Sequence, residues 1–69
     1  MRKQKVFFEV VKVYGDPNLP HSPDNRHVAH SLHNALDEAY VALCKMCDET
    51  GLCGIIRNTV TFKVVSIHL

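Results

Sequence analysis

The sequence predicts an α+β fold, a small β-α-β sheet with one long amphipathic helix packed on one face. Three stretches carry that prediction. Residues 22–50 repeat apolar side chains at the helical period, and residues 4–14 and 58–68 are dense in β-branched and aromatic side chains. The chain reads as a single domain, 1–69, with a Pro-rich loop at 15–21 between the first strand and the helix.

The first strand, QKVFFEVVKVY, is apolar on both sides. Val6, Phe8, Val10 and Tyr14 fall on one face, and Phe7, Val11 and Val13 on the other. One helix covers only one of these faces. The loop GDPNLPH then combines turn residues with prolines that block regular structure.

Ser22-Pro23-Asp24 reads as a helix start. It offers a capping hydroxyl, a proline where the N–H has no helical partner, and a carboxylate at the positive end of the dipole. Val28, Leu32, Ala35, Ala39, Ala42, Leu43 and Met46 form the apolar stripe, widened by Leu36 and Cys47. Asn34, Glu38, Lys45 and Glu49 lie opposite, and Gly51 is the natural stop. Leu52–Arg57 is either a short strand, giving β-α-β-β, or an apolar lead-in. In the last strand Val60, Phe62 and Val64 share a face, and the apolar phase then passes to Val65, Ile67 and Leu69. That change implies a bulge near Val64 or burial of both faces. Parallel and antiparallel pairing both fit.

A chain of 69 residues buries only about 60% of its unfolded surface, and a two-stranded sheet is marginal by itself. The expected remedy is a homodimer that completes or covers the sheet through Phe7, Val11, Val13, Val65, Ile67 and Leu69. The net charge of +1 singles out no electrostatic partner, and three cysteines cannot close a complete disulfide framework. Met1-Arg2-Lys3-Gln4-Lys5 leads into no signal-peptide pattern, and no stretch has the length to span a bilayer. The cytoplasm is the expected compartment.

The chemistry-bearing residues cluster on the expected helix. His30, His33 and Asp37 fall in one stripe there, beside Tyr40 and Cys44, and nitrogen with carboxylate suits zinc. Cys44, Cys47 and Cys53 form a second set that needs a fourth ligand such as His68 or His33. Both sets also have a plain structural reading, a solvated helix flank and small core thiols respectively. The expectation is accordingly no metal, with zinc as the alternative. The CxxC lies near a helix C-terminus, where the dipole disfavours a thiolate, so redox chemistry is not expected. Cys44, His33 and Asp37 include a nucleophile and a base but no cleft or oxyanion donors, and no glycine-rich phosphate loop is present. Arg2, Lys3, Lys5, Lys12, Arg57 and Lys63, with Phe7, Phe8, Tyr14 and Phe62 for stacking, support a nucleic-acid alternative. The pI of about 7.8 is low for such a domain.

The reading that remains is a non-catalytic protein-binding module acting by occlusion or scaffolding. Its target-facing residues would be Arg26, His30, Asp37, Tyr40 and Val41 on the helix flank, or the Pro-rich loop. The chain has the general look of small accessory proteins, including phage- or plasmid-encoded inhibitors.

Overall fold

The computed structural model describes residues 6–68. It is an α+β fold, a four-stranded antiparallel sheet with one helix packed against it. The elements are β1 (Phe8–Tyr14), β2 (Arg26–His33), α1 (Leu36–Thr50), β3 (Cys53–Asn58) and β4 (Val64–His68), and the sheet order is β2-β1-β3-β4. Every neighbouring pair is antiparallel. No described helix is long and apolar enough to cross a membrane.

The main correction concerns residues 22–35. Ser22-Pro23-Asp24 does not cap a helix; it opens a tight turn. Ser22 and Asn25 exchange backbone hydrogen bonds at 3.1 Å across Pro23 and Asp24. Proline suits the second position of a β-turn for the same reason that it suits a first helical turn, its fixed φ. The chain then returns along β1 as strand β2. Val28 and Leu32 are four apart, a spacing that helix and strand periods share, so they could not discriminate the two. Leu32, expected in the core, is 58% exposed. The helix has 15 residues, about 22 Å, in place of the 29 expected from 22–50. The two-strand β-α-β order becomes β-β-α-β-β. Gly54–Arg57 does belong to a strand of its own, and the expected strand at 58–68 is interrupted by a turn at residues 59–63.

Within α1 the apolar stripe holds. Ala39, Leu43, Met46 and Cys47 are buried, with Leu36 and Ala42 packed beside them. Their partners on the sheet are Phe8, Val10 and Ile56. A Cβ built on Gly54 would lie 2.5 Å from Leu43 Cδ1, 2.6 Å from Met46 Cε and 3.2 Å from the Val11 carbonyl oxygen. The helix therefore seats on β3 where that strand has no side chain. Gly51 ends α1 at φ 70°, and its N–H donates to the Cys47 carbonyl at 2.8 Å.

The opposite face of the sheet carries a second buried cluster, Val11, Val13 and Ile55. Of these, Val11 and Val13 were expected to be open and to lie in a dimer interface. Val11, Val13 and Ile55 are 2%, 0% and 2% exposed within the single chain. The loop between β1 and β2 lies on this side: it buries Pro17 and lines one concavity with Ile55. The two central strands are thus apolar on both sides because both sides are covered, one by α1 and one by the loop.

Each edge strand holds a bulge. In β2, Val10 pairs with Ser31 and Val11 with Ala29, leaving His30 as the extra residue. In β4, Ile56 pairs with Ser66 and Arg57 with Val64, leaving Val65. The change of phase near Val64 is therefore a bulge. Bulges at both edges twist the sheet margins away from further strand pairing.

Candidate functional site: the concavity between the Pro-rich loop and the β3–β4 turn

The loop is built around Asn25, the buried polar side chain at 7% exposure. Its Oδ1 accepts the Asp16 N–H at 2.6 Å. Its Nδ2 faces the carbonyl oxygens of Asp16, Leu19 and Pro20 at 3.0, 3.1 and 3.1 Å. One amide thus substitutes for the backbone partners that an irregular segment lacks. Gly15 makes room for it. With φ of 152°, Gly15 has no Cβ where one would sit 2.1 Å from Asn25 Oδ1. His21 closes the loop, its Nδ1 accepting the His27 backbone N–H at 3.0 Å.

Across the sheet from this loop stands the β3–β4 turn. Asn58 Oδ1 accepts the N–H groups of Val60 and Thr61 at 2.9 and 3.1 Å. The Phe62 N–H donates to the Asn58 carbonyl at 2.8 Å. Phe62 itself sits at φ 61° and is the residue other than glycine with positive φ among those described. Left-handed backbone costs a residue with a Cβ about 1–2 kcal/mol, and for a bulky side chain it is a genuine outlier. Phe62 is nevertheless 73% exposed.

Loop and turn enclose an open concavity of about 460 Å³ lined by Pro17, Asn18, Leu19, Pro20, His21, His27, Ile55, Arg57, Phe62 and Val64. Arg57 is oriented by an ion pair with Glu9 of β1. Leu19, Phe62, Val64 and Ile67 leave 54%, 73%, 46% and 42% of their surface exposed around this region. Among the described residues, large apolar side chains gather here in the open beside a cavity.

The residues expected on one helix flank separate. Arg26 and His30 lie on β2, while Asp37, Tyr40 and Val41 lie on α1. Tyr40 and Val41 are exposed, at 43% and 69%. His30 and His33 line a different hollow of about 340 Å³ with Ser31, Ala42, Lys45, Met46 and Glu49, between β2 and the helix. Ser31 Oγ and His33 Nε2 are 2.8 Å apart, but among the described residues no carboxylate bonds His33. Among the described residues no three His, Cys, Asp or Glu side chains are grouped so as to hold a metal ion. His30, His33 and Asp37 are therefore not brought together as one ligand set, nor are Cys44, Cys47 and Cys53. Cys44 is exposed and Cys47 buried. Burial pushes the Cys47 thiol up, and Cys53, Cys44 and Asp48 add to that direction.

Of the expected interface residues, Val65 and Ile67 are exposed, Phe7 is half-buried against the β3–β4 turn through the Thr59 N–H at 3.1 Å, and Leu69 lies outside the described residues. The basic residues Arg2, Lys3 and Lys5 lie outside them as well. The sequence signal for Phe62 was an aromatic in a polar alternating run, which reads as a buried strand position. No family model, no curated protein and no solved structure matches this chain.

Proposed function

We propose that this chain is a non-catalytic protein-binding module acting by occlusion or scaffolding, and that it engages its partner through the concavity between the Pro-rich loop and the β3–β4 turn. The observation that carries this reading is Phe62. A turn position that favours glycine holds an aromatic side chain, and that side chain is 73% exposed. It contributes little to the core, so folding gives no reason for the strain; backbone strain of this kind clusters at functional sites. Exposed aromatics beside a pocket are the usual anchors of protein interfaces. Leu19, Val64 and Ile67 supply an apolar surround, and Arg57 and the two histidines supply polar contacts.

The test is a comparison of three equally folded variants in a pull-down from the native host. Phe62→Gly and Ile67→Lys lose the protein that co-purifies with the wild type, and Val41→Asp, on the far side of the molecule, retains it. Retention by Phe62→Gly and loss by Val41→Asp would move the site to the helix flank. Sedimentation of the purified chain separates a second copy from a different protein as occupant. Stoichiometric zinc in untagged protein would replace this reading with a metal-dependent one.

A further inference from the structure

We propose that the occupant of the concavity is a second copy of this chain, in a two-fold dimer where each protomer's Phe62 enters the other's concavity. This rests on the binding site proposed above and names its partner. A two-fold interface is isologous, so one patch must carry both a projection and the hollow that receives it. This patch carries both. Phe62 projects from the β3–β4 turn with 73% of its surface exposed. It stands on the rim of a concavity of about 460 Å³ that Leu19 and Pro20 of the loop also line. A two-fold axis at that rim exchanges the two rings, and each copy supplies the aromatic side chain that the other's hollow receives. The interface differs from the one expected from the sequence, because Val11 and Val13 are buried within each copy.

The projection is held in place before contact. Asn58 ties the turn together: its Oδ1 accepts the N–H groups of Val60 and Thr61, and its carbonyl accepts that of Phe62. Its own N–H donates to the Lys63 carbonyl at 2.9 Å, and the Thr59 N–H fastens the turn to the Phe7 carbonyl at 3.1 Å. A side chain already fixed in its bound position loses less entropy on association, which gives the left-handed backbone of Phe62 a purpose. The bulge at Val65 interrupts the β4 edge. The two copies therefore meet through side chains and not by adding strand to strand.

Charge favours a second copy over a strongly acidic or basic partner. The loop, residues 15–25, carries Asp16 and Asp24 and no lysine or arginine, whereas the turn, residues 59–63, carries Lys63 and no carboxylate. Exchanging the two turns sets each basic turn against the other copy's acidic loop, which is complementarity of the patch to itself. Arg57, which lines the concavity, is already paired with Glu9. β4, from Val64 to His68, has no Asp, Glu, Lys or Arg, and a core poor in charge is the composition of homodimer interfaces. The helix packs on the opposite face of the sheet, so the dimer leaves both copies of α1 outward with Tyr40 and Val41 exposed. A scaffold of this form presents the helix face twice.

The test is sedimentation equilibrium of the untagged chain from about 1 μM to about 1 mM, beside Phe62→Gly, Lys63→Glu and Val41→Asp. The wild type and Val41→Asp reach the mass of two chains with the same dissociation constant. Phe62→Gly raises that constant at least about 30-fold, the loss of a central interface anchor. Its fold is not at risk, because glycine suits the φ of 61°. Lys63→Glu raises it less, by about two- to five-fold, as expected of an exposed ion pair. In a mixture of isotope-labelled and unlabelled chains, filtered NOEs join the Phe62 ring of one copy to Leu19 and Pro20 of the other. A wild type that is monomeric at the highest concentration overturns the proposal, and so does a dimer that Phe62→Gly leaves intact. Either result leaves the binding site itself to the pull-down, where a different protein lost by Phe62→Gly still upholds it.

Discussion

Leu43 determines how the helix meets the sheet. It is 1% exposed, and its Cδ1 occupies the space left open by Gly54. Leu43→Ala should cost about 2–5 kcal/mol in urea denaturation, whereas Leu32→Ala, at 58% exposure, should stay within about 0.5 kcal/mol. An equal loss at both would return Leu32 to the core. The stripe through Leu43 was legible in the sequence because α1 has one dry side and one wet side. Leu32 was misread because a spacing of four fits two periods. Cys47 offers a second check at this scale. The folded chain holds its thiol proton more tightly than the unfolded chain does, since burial raises it. That contribution is whole below the ordinary thiol range and is lost as pH rises through it, from about pH 8 upward. Iodoacetamide should accordingly alkylate exposed Cys44 well before Cys47, and equal rates would mean that the α1–sheet interface opens easily.

Among the elements, the β3–β4 turn and the β1–β2 loop work in opposite ways. The turn carries strain at Phe62 that the fold does not need. Phe62→Gly should raise stability by about 1 kcal/mol, by removing the left-handed cost at φ 61°; a loss of stability on this change would show that the Phe62 ring has a packing role. The loop instead carries a saturated polar hub. Asn25→Ala leaves the Asp16 N–H and three carbonyl oxygens without their partner, and an unmet buried group costs about 1–3 kcal/mol. Limited proteolysis should then cut the variant within residues 15–25, and a resistant variant would mean that the prolines alone hold the loop. Turn chemistry at Gly15–Asn18 was legible in the sequence. That the loop reaches Asn25 was not, because Asn25 acts through carbonyls of residues up to nine positions away, and composition does not encode such a contact. Nor did the sequence reveal Phe62 as exposed, since its neighbours alternate as a strand does.

For the whole molecule, the sheet is the middle layer of three, and adjacent residues of one strand face different covers. Ile55 and Ile56 lie side by side in β3, at 2% and 0% exposure. Ile56 belongs to the cluster under α1, and Ile55 to the cluster with Val11 and Val13 under the loop. Two apolar faces were readable from the alternation in β1; their solution within one chain was not, since nothing local marks a Pro-rich connector as a covering layer. The expectation of a second copy as cover arose from that gap. If the loop is a true layer, removing one methylene from either side of β3 has the same effect. Ile55→Val and Ile56→Val should each cost about 0.5–1.5 kcal/mol, read from urea midpoints with the slope unchanged. If the loop were a loose connector, Ile55 would face water for much of the time, and Ile55→Val would fall within the surface range of about 0.5 kcal/mol.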